Sequence, residues 1–287
     1  MARSIENTSF VLLSVFIMKT FYSILISILF CASLYSQSLK EEYNKCAVEK
    51  FEQHDYDEAI QYFTRIIEIN PNDSLAYLDR AIVKDYLKDY VGAIDDYTKQ
   101  IKIDSGNVDN YFLRGLAKYN LKDYGAAIVD FNKTIELEVL NADAHYFMGL
   151  AKMELKDYKS AIIDFDGAIK ANRAHEKAYA EKALAKIQLK DYQGAIDNCN
   201  ISILINPNYE KSYYYRGWAR DKLQNFKGAI EDYSKAININ PTHAEYYLQR
   251  GQLKIKIGQK NTGCSDFNKY RELGGDNNKL TIKMPCN

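Results

Sequence analysis

Residues 88–97 read KDYVGAIDDY, and the phrase returns as HDYDEAIQYF at 54–63, KDYGAAIVDF at 122–131, KDYKSAIIDF at 156–165, KDYQGAIDNC at 190–199 and QNFKGAIEDY at 224–233. The step is 34 residues each time, which puts Ala59, Ala93, Ala127, Ala161, Ala195 and Ala229 in one column with no insertion. One more step of 34 reaches Gly263. A fixed period of this size is the mark of a solenoid, whose units bury their apolar faces only by stacking on their neighbours. The period therefore points to a binding scaffold rather than an enzyme.

Within one unit, residues 74–107, Tyr77, Ala81 and Leu87 share one face of a predicted first helix. Ala93, Ile94, Tyr97 and Ile101 recur at three- and four-residue steps on a second, and Lys88-Asp89 marks a tight turn between them. Small residues recur in the first helix at Ala47, Ala81, Gly115, Gly149, Ala183, Gly217 and Gly251. Glycine costs up to about 1 kcal/mol of helix propensity, so close packing must favour it there. Aromatic residues fill three columns, beginning at Tyr43, Tyr56 and Phe63, and are read as core. Pro71, Pro207 and Pro241 share the position that ends the second helix.

These features resemble the tetratricopeptide repeat: the 34-residue period, small residues at positions 8 and 20, aromatics at 4 and 17, and proline at 32. The resemblance covers seven units, at 40–73, 74–107, 108–141, 142–175, 176–209, 210–243 and 244–273. It implies an all-α solenoid, a right-handed superhelix of antiparallel helix pairs. His145, Arg173, Val139 and Lys260 depart from the family pattern locally. Position 7, usually leucine in the family, is Arg80, Arg114, Arg216 and Arg250, and the same units carry Asp96, Asp130, Asp232 and Asp266 at position 23. That pairing reads as a helix-to-helix ion pair repeated along the stack.

In the family the first helices line a concave groove that takes an extended or helical peptide. Carried over column by column, the groove residues are Leu78, Asp79, Ile82 and Tyr86 in the second unit and Phe112, Leu116 and Tyr119 in the third. The fourth adds Tyr146, Phe147 and Leu150, and the sixth Tyr214, Tyr215 and Trp218. Contiguous apolar surface with Tyr and Trp marks an interaction site. Asp79, Asp85, Asp109, Asp143 and Glu154 outnumber the local bases, which favours a basic, apolar protein segment as partner. The lysine, arginine and asparagine set with which co-chaperone members grip a terminal carboxylate is missing from the second to fourth units.

Lysine plus arginine equals aspartate plus glutamate at 38 each, so no net charge draws the chain to nucleic acid. The histidines, His54, His145, His175 and His243, read as isolated turn residues at unrelated repeat positions, and no metal, cofactor or catalytic motif is expected.

Residues 1–36 differ in kind from the repeats. A basic start at Lys19, an apolar stretch from Phe21 to Tyr35 and a polar exit at 36–38 read as a secretory signal, with Met18 as an alternative start. The apolar stretch falls short of the roughly 20 residues that span a bilayer. With the run Phe10–Met18 added it would serve as an anchor, the only membrane contact expected. Either reading exports the repeats to the periplasm, cell envelope or exterior. The array is assigned to 37–273 and a tail to 274–287, and Cys264 and Cys286 could close a disulfide if that tail folds back.

Overall fold

The structure, a computed structural model, describes residues 2–276. Among these residues there are fourteen α-helices and no strand. The chain divides after Asn110 into two compact units, taken in turn below.

The first unit holds α1 (Ala2–Glu52), α2 (Tyr56–Ile69), α3 (Ser74–Tyr86) and α4 (Tyr90–Ile103), with each helix packed on the next. The backbone of α1 stays helical across the expected boundary at residue 37, so the segment read as a signal or anchor runs directly into the first repeat helix. The side chains of residues 1–24, on which much of that reading rests, lie outside the described residues. No helix, over the described residues, is long and apolar enough to cross a membrane.

The division falls inside α5 (Val108–Asn120). The second unit continues with α6 (Tyr124–Leu137), α7 (Ala142–Glu154), α8 (Tyr158–Ala171), α9 (Glu176–Gln188) and α10 (Tyr192–Ile205). It closes with α11 (Glu210–Lys222), α12 (Phe226–Ile239), α13 (Ala244–Lys256) and α14 (Lys260–Glu272). Consecutive helices again pack as pairs, and the pairs follow the 34-residue period.

The turn inside each repeat explains the KDY phrase. Lys88, Lys122, Lys156 and Lys190 sit at φ 63°, 66°, 62° and 65°, the left-handed region, as do His54 and Gln224 in the same column. Only the seventh repeat uses glycine there, Gly258 at φ 85°. In the second repeat the amide of Lys88 donates to the Asp85 carbonyl and that of Asp89 to the Lys84 carbonyl, the paired bonds that end a helix through a left-handed residue. The next residue, Asp55, Asp89, Asp123, Asp157 or Asp191, accepts from an amide three residues on and caps the second helix. Such a cap is worth about 1 kcal/mol.

Between repeats, the second helix ends on Asn70, Asn206 and Asn240, immediately before the three prolines. Each Asn side chain accepts from the amide two residues on, closing the turn into the next repeat.

The core is the alanine column together with the aromatic column at position 24. Tyr97, Phe131, Phe165, Tyr233 and Phe267 are at most 1% exposed. In four repeats the ring lies directly over the small residue at position 8. A Cβ on Gly115, Gly149, Gly217 or Gly251 would come within 2.6–2.9 Å of the Phe131, Phe165, Tyr233 or Phe267 ring. That contact is why glycine is tolerated inside these helices. The other two aromatic columns, expected in the core, are mostly only half-buried, because their rings lie near the repeat surface.

The arginine–aspartate pairs form as expected: Arg80 to Asp96, Arg114 to Asp130, Arg216 to Asp232 and Arg250 to Asp266, with closest contacts of 2.6–2.7 Å. Position 11 adds a second cation to each carboxylate, from Lys84, Lys118, Arg220 and Lys254. The guanidiniums also reach back one repeat, Arg80 to the Thr64 hydroxyl, Arg216 to Asn200 and Arg250 to Ser234. Each lies over the tyrosine three residues before it, Tyr77, Tyr111, Tyr213 or Tyr247. The arginines are thus structural, tying the two helices of a repeat together.

Candidate functional site

In the first unit the inner face is made by the C-terminal part of α1 and by α3. A cavity of about 200 Å³ opens there, floored by Phe63 and Val83 and walled by Val48, Phe51 and Ile82. Asn44 and Asp79 supply its polar rim. Val48, Ile82 and Tyr86 are 46%, 42% and 62% exposed, so this apolar surface is open to solvent. Tyr86 is held by ring contacts with Tyr56 at 4.9 Å and Phe51 at 6.1 Å. Leu78, also on α3, is half-buried.

The acids of this face are electrostatically unusual. Burial, and then the charge of nearby Asp73, raises the Asp79 carboxyl above the usual carboxylate range. Burial does the same to Asp85, one of whose oxygens is buried without a hydrogen bond. Asp73 itself is paired with Lys40 and caps α3.

In the second unit the inner face is a continuous aromatic layer. Phe147 is its hub, with ring centroids 6.0 Å from Phe112, 6.1 Å from Tyr119 and 5.4 Å from Tyr146. Tyr146 also meets His175 at 4.9 Å. Leu116 and Leu150 fill the gaps beneath these rings, packed on the Phe131 and Phe165 clusters. Burial, and then Glu154, pushes the Tyr119 phenol up to about 12. Burial raises Tyr146 further still.

Further along, Tyr214 and Trp218 are half-buried against the α9–α11 core. Tyr214 is clasped between Tyr246 at 5.0 Å and Tyr233 at 5.7 Å. Tyr215 corrects the sequence expectation: it is 8% exposed and belongs to the core with Ala183, Ile187 and Cys199. Position 6 in this repeat faces the preceding helix pair, so the Tyr215 ring packs inward and leaves little surface for a ligand. The groove set therefore spans open residues (Ile82, Tyr86), half-buried ones (Leu78, Asp79, Phe112, Leu116, Tyr119, Tyr146, Phe147, Leu150, Tyr214, Trp218) and one core residue.

Two further features, one in each unit, lie outside that set. Asn44, Val48 and Phe51 of the first repeat occupy groove columns 5, 9 and 12, so the period would have found them had it been carried back one unit. Glu181, in column 6 of the fifth repeat, is 5% exposed, and among the described residues its one ion pair is with Lys211 at 3.5 Å. Burial raises its carboxyl, against the opposing pull of Lys211 and Tyr215.

The histidines also differ from expectation, since His175 and His243 share repeat position 34 and both precede a first helix, α9 and α13. His175 accepts from the Ala178 amide through Nδ1, and its burial lowers its affinity for a proton. Among the described residues no group of His, Cys, Asp and Glu could hold a metal ion. Cys31, Cys46 and Cys199 are free thiols, and Cys264 is disulfide-bonded. Its expected partner, Cys286, lies outside the described residues.

Tetratricopeptide-repeat profiles match residues 40–73, 112–176 and 210–243. No curated protein matches the sequence. Among solved structures, a tetratricopeptide repeat protein from Parabacteroides merdae is similar over 85% of this chain and 96% of its own, with TM-score 0.68 and 19% identity. MamA is 25% identical with TM-score 0.54, over 60% of this chain and 94% of its own. YrrB, described as a tetratricopeptide-repeat protein with an unusual peptide-binding site, is 23% identical with TM-score 0.54, over 64% of this chain and 95% of its own.

Proposed function

We propose, from the premise that the chain belongs to the tetratricopeptide-repeat family of protein-interaction scaffolds, that its inner face binds a basic, apolar segment of another protein and that it carries out no chemistry of its own. The observation that carries this is the inner face of the first unit, where Val48 and Ile82 stand open around a cavity whose rim carries Asp79, and the exposed Tyr86 packs on the cavity-lining Phe51. Exposed apolar surface concentrated around a concavity, with aromatic anchors and an acid, suits a cationic peptide. In the second unit, taken by itself, Tyr119, Tyr146 and Trp218 offer aromatic anchors of the same kind.

Alanine at Tyr86 or Trp218 tests the assignment by calorimetric titration with whatever segment is captured by the intact protein. Each change should weaken binding by roughly 2 kcal/mol while leaving the helical signal intact, as truncation of an interface aromatic does. Unchanged affinity at both would remove the inner face as the site.

Export is the second part of the proposal. It rests on the apolar stretch at 21–35 and on the disulfide at Cys264, since such bonds persist in oxidising compartments. An uncleaved anchor bearing the same groove is the competing reading, favoured by the unbroken course of α1. N-terminal sequencing of the mature protein separates the two: a start near Gln37 means a cleaved signal.

A further inference from the structure

Asp96, Asp130, Asp232 and Asp266 each receive an arginine and a second cation within 2.8 Å, so the fold itself neutralises them. Asp79 is different. It sits half-buried on α3 at the rim of the first unit's cavity, and no hydrogen bond or ion pair to its side chain is found among the described residues. Withdrawing a carboxylate from water without a partner costs free energy, and the surroundings show that cost by raising its affinity for a proton. Asp85, six residues on, likewise has a buried oxygen with no hydrogen bond.

The cavity beside Asp79 is apolar. Val48, Phe51, Phe63, Ile82 and Val83 line it, and Val48 and Ile82 are open to solvent. A space of about 200 Å³ with an acid at its mouth fits a side chain that is aliphatic along its stem and positive at its end. Lysine and arginine are the side chains built that way: they bury their methylenes and keep the charge at the edge.

We infer that this cavity is a subsite for one lysine or arginine side chain of an extended peptide, its stem against Val48, Phe51 and Ile82 and its cationic head on Asp79. This rests on the groove reading above and narrows it to one side chain and one position. The cation supplies the counter-charge that the fold withholds from Asp79. The Tyr86 ring, 62% exposed, packs on the Phe51 that lines the cavity.

Selection of a randomised peptide library on the full chain and on its Asp79→Asn variant tests the subsite. The wild type should enrich peptides carrying lysine or arginine beside apolar residues. The variant should keep the apolar preference and lose the cationic one. A wild-type-selected peptide should bind Asp79→Asn roughly tenfold more weakly, and the loss should vanish when its cation is replaced by norleucine. Val48→Trp, which fills the cavity from an exposed position, should weaken the same peptide while leaving the melting temperature unchanged. Identical enrichment on wild type and Asp79→Asn would overturn the subsite and leave the groove standing. Failure to enrich any peptide on the wild type would overturn both.

Discussion

Arg216 grips Asp232 with two donors, Nε to Oδ2 at 3.0 Å and Nη2 to Oδ1 at 2.7 Å, joining the two helices of the sixth repeat across 16 residues of chain. Arg220 occupies the second carboxylate oxygen at 2.7 Å, and the aspartate side chain is 3% exposed. Removing one member of so buried a set leaves the rest uncompensated. Asp232→Asn should therefore lower stability by about 3 kcal/mol. Urea unfolding followed by circular dichroism measures it; a loss under about 0.5 kcal/mol, the scale of an exposed pair, would mean the ladder holds little of the fold.

The left-handed lysines give the opposite sign. Lys156, at φ 62°, has a Cβ in a region where a side chain costs about 1 kcal/mol or more, and its side chain is exposed. Lys156→Gly should raise the melting temperature, by an amount that matches about 0.5–1 kcal/mol. Lys156→Val should lower it, since a β-branched residue fits that conformation worst. A glycine variant less stable than the parent would mean that the lysine side chain itself supports the turn.

Overpacking tests the ring-over-glycine register. A Cβ at Gly149 would meet Phe165 at 2.6 Å, so Gly149→Leu must displace that ring or separate α7 from α8. The cost should be about 1–3 kcal/mol, and Ala127→Leu, at a fully buried alanine, should behave alike. Thermal melts of the two variants check the prediction together; unaltered melting in both would refute the register.

Glu181 makes a prediction about pH. Its folded-state pKa is raised, chiefly by burial, so the native chain holds this proton more tightly than the unfolded chain does. Stability then falls as pH climbs from the unfolded carboxyl value through the folded one, and the penalty is complete above it. Glu181→Gln removes the titration. The variant should gain stability over the wild type progressively as pH rises from the ordinary glutamate value of about 4.3, with the two converging at the acid end. Melting temperatures recorded across that range, with a difference that stays flat, would show that Lys211 fully neutralises the acid.

The helix pairs were legible in the residues alone, because their causes are local or strictly periodic. Asp89 caps α4 through its own next turn, Lys88 ends α3 through its own backbone, and the alanine and aromatic columns repeat every 34 residues. The Arg–Asp ladder was readable for the same reason, since both partners keep a fixed 16-residue spacing inside one repeat. Contacts with the neighbouring repeat were not legible in that way. Lys182 finds no acid at position 23 in its own repeat and pairs backward with Asp166 of the fourth. Tyr215 and Trp218 stand three residues apart on one helix, yet Tyr215 is buried and Trp218 is only partly so. Column position names the side of the helix a residue occupies. How much of it water still reaches, and whether an acid such as Asp79 is left without a cation, depends on the size and charge of whatever the adjacent repeat stacks against it.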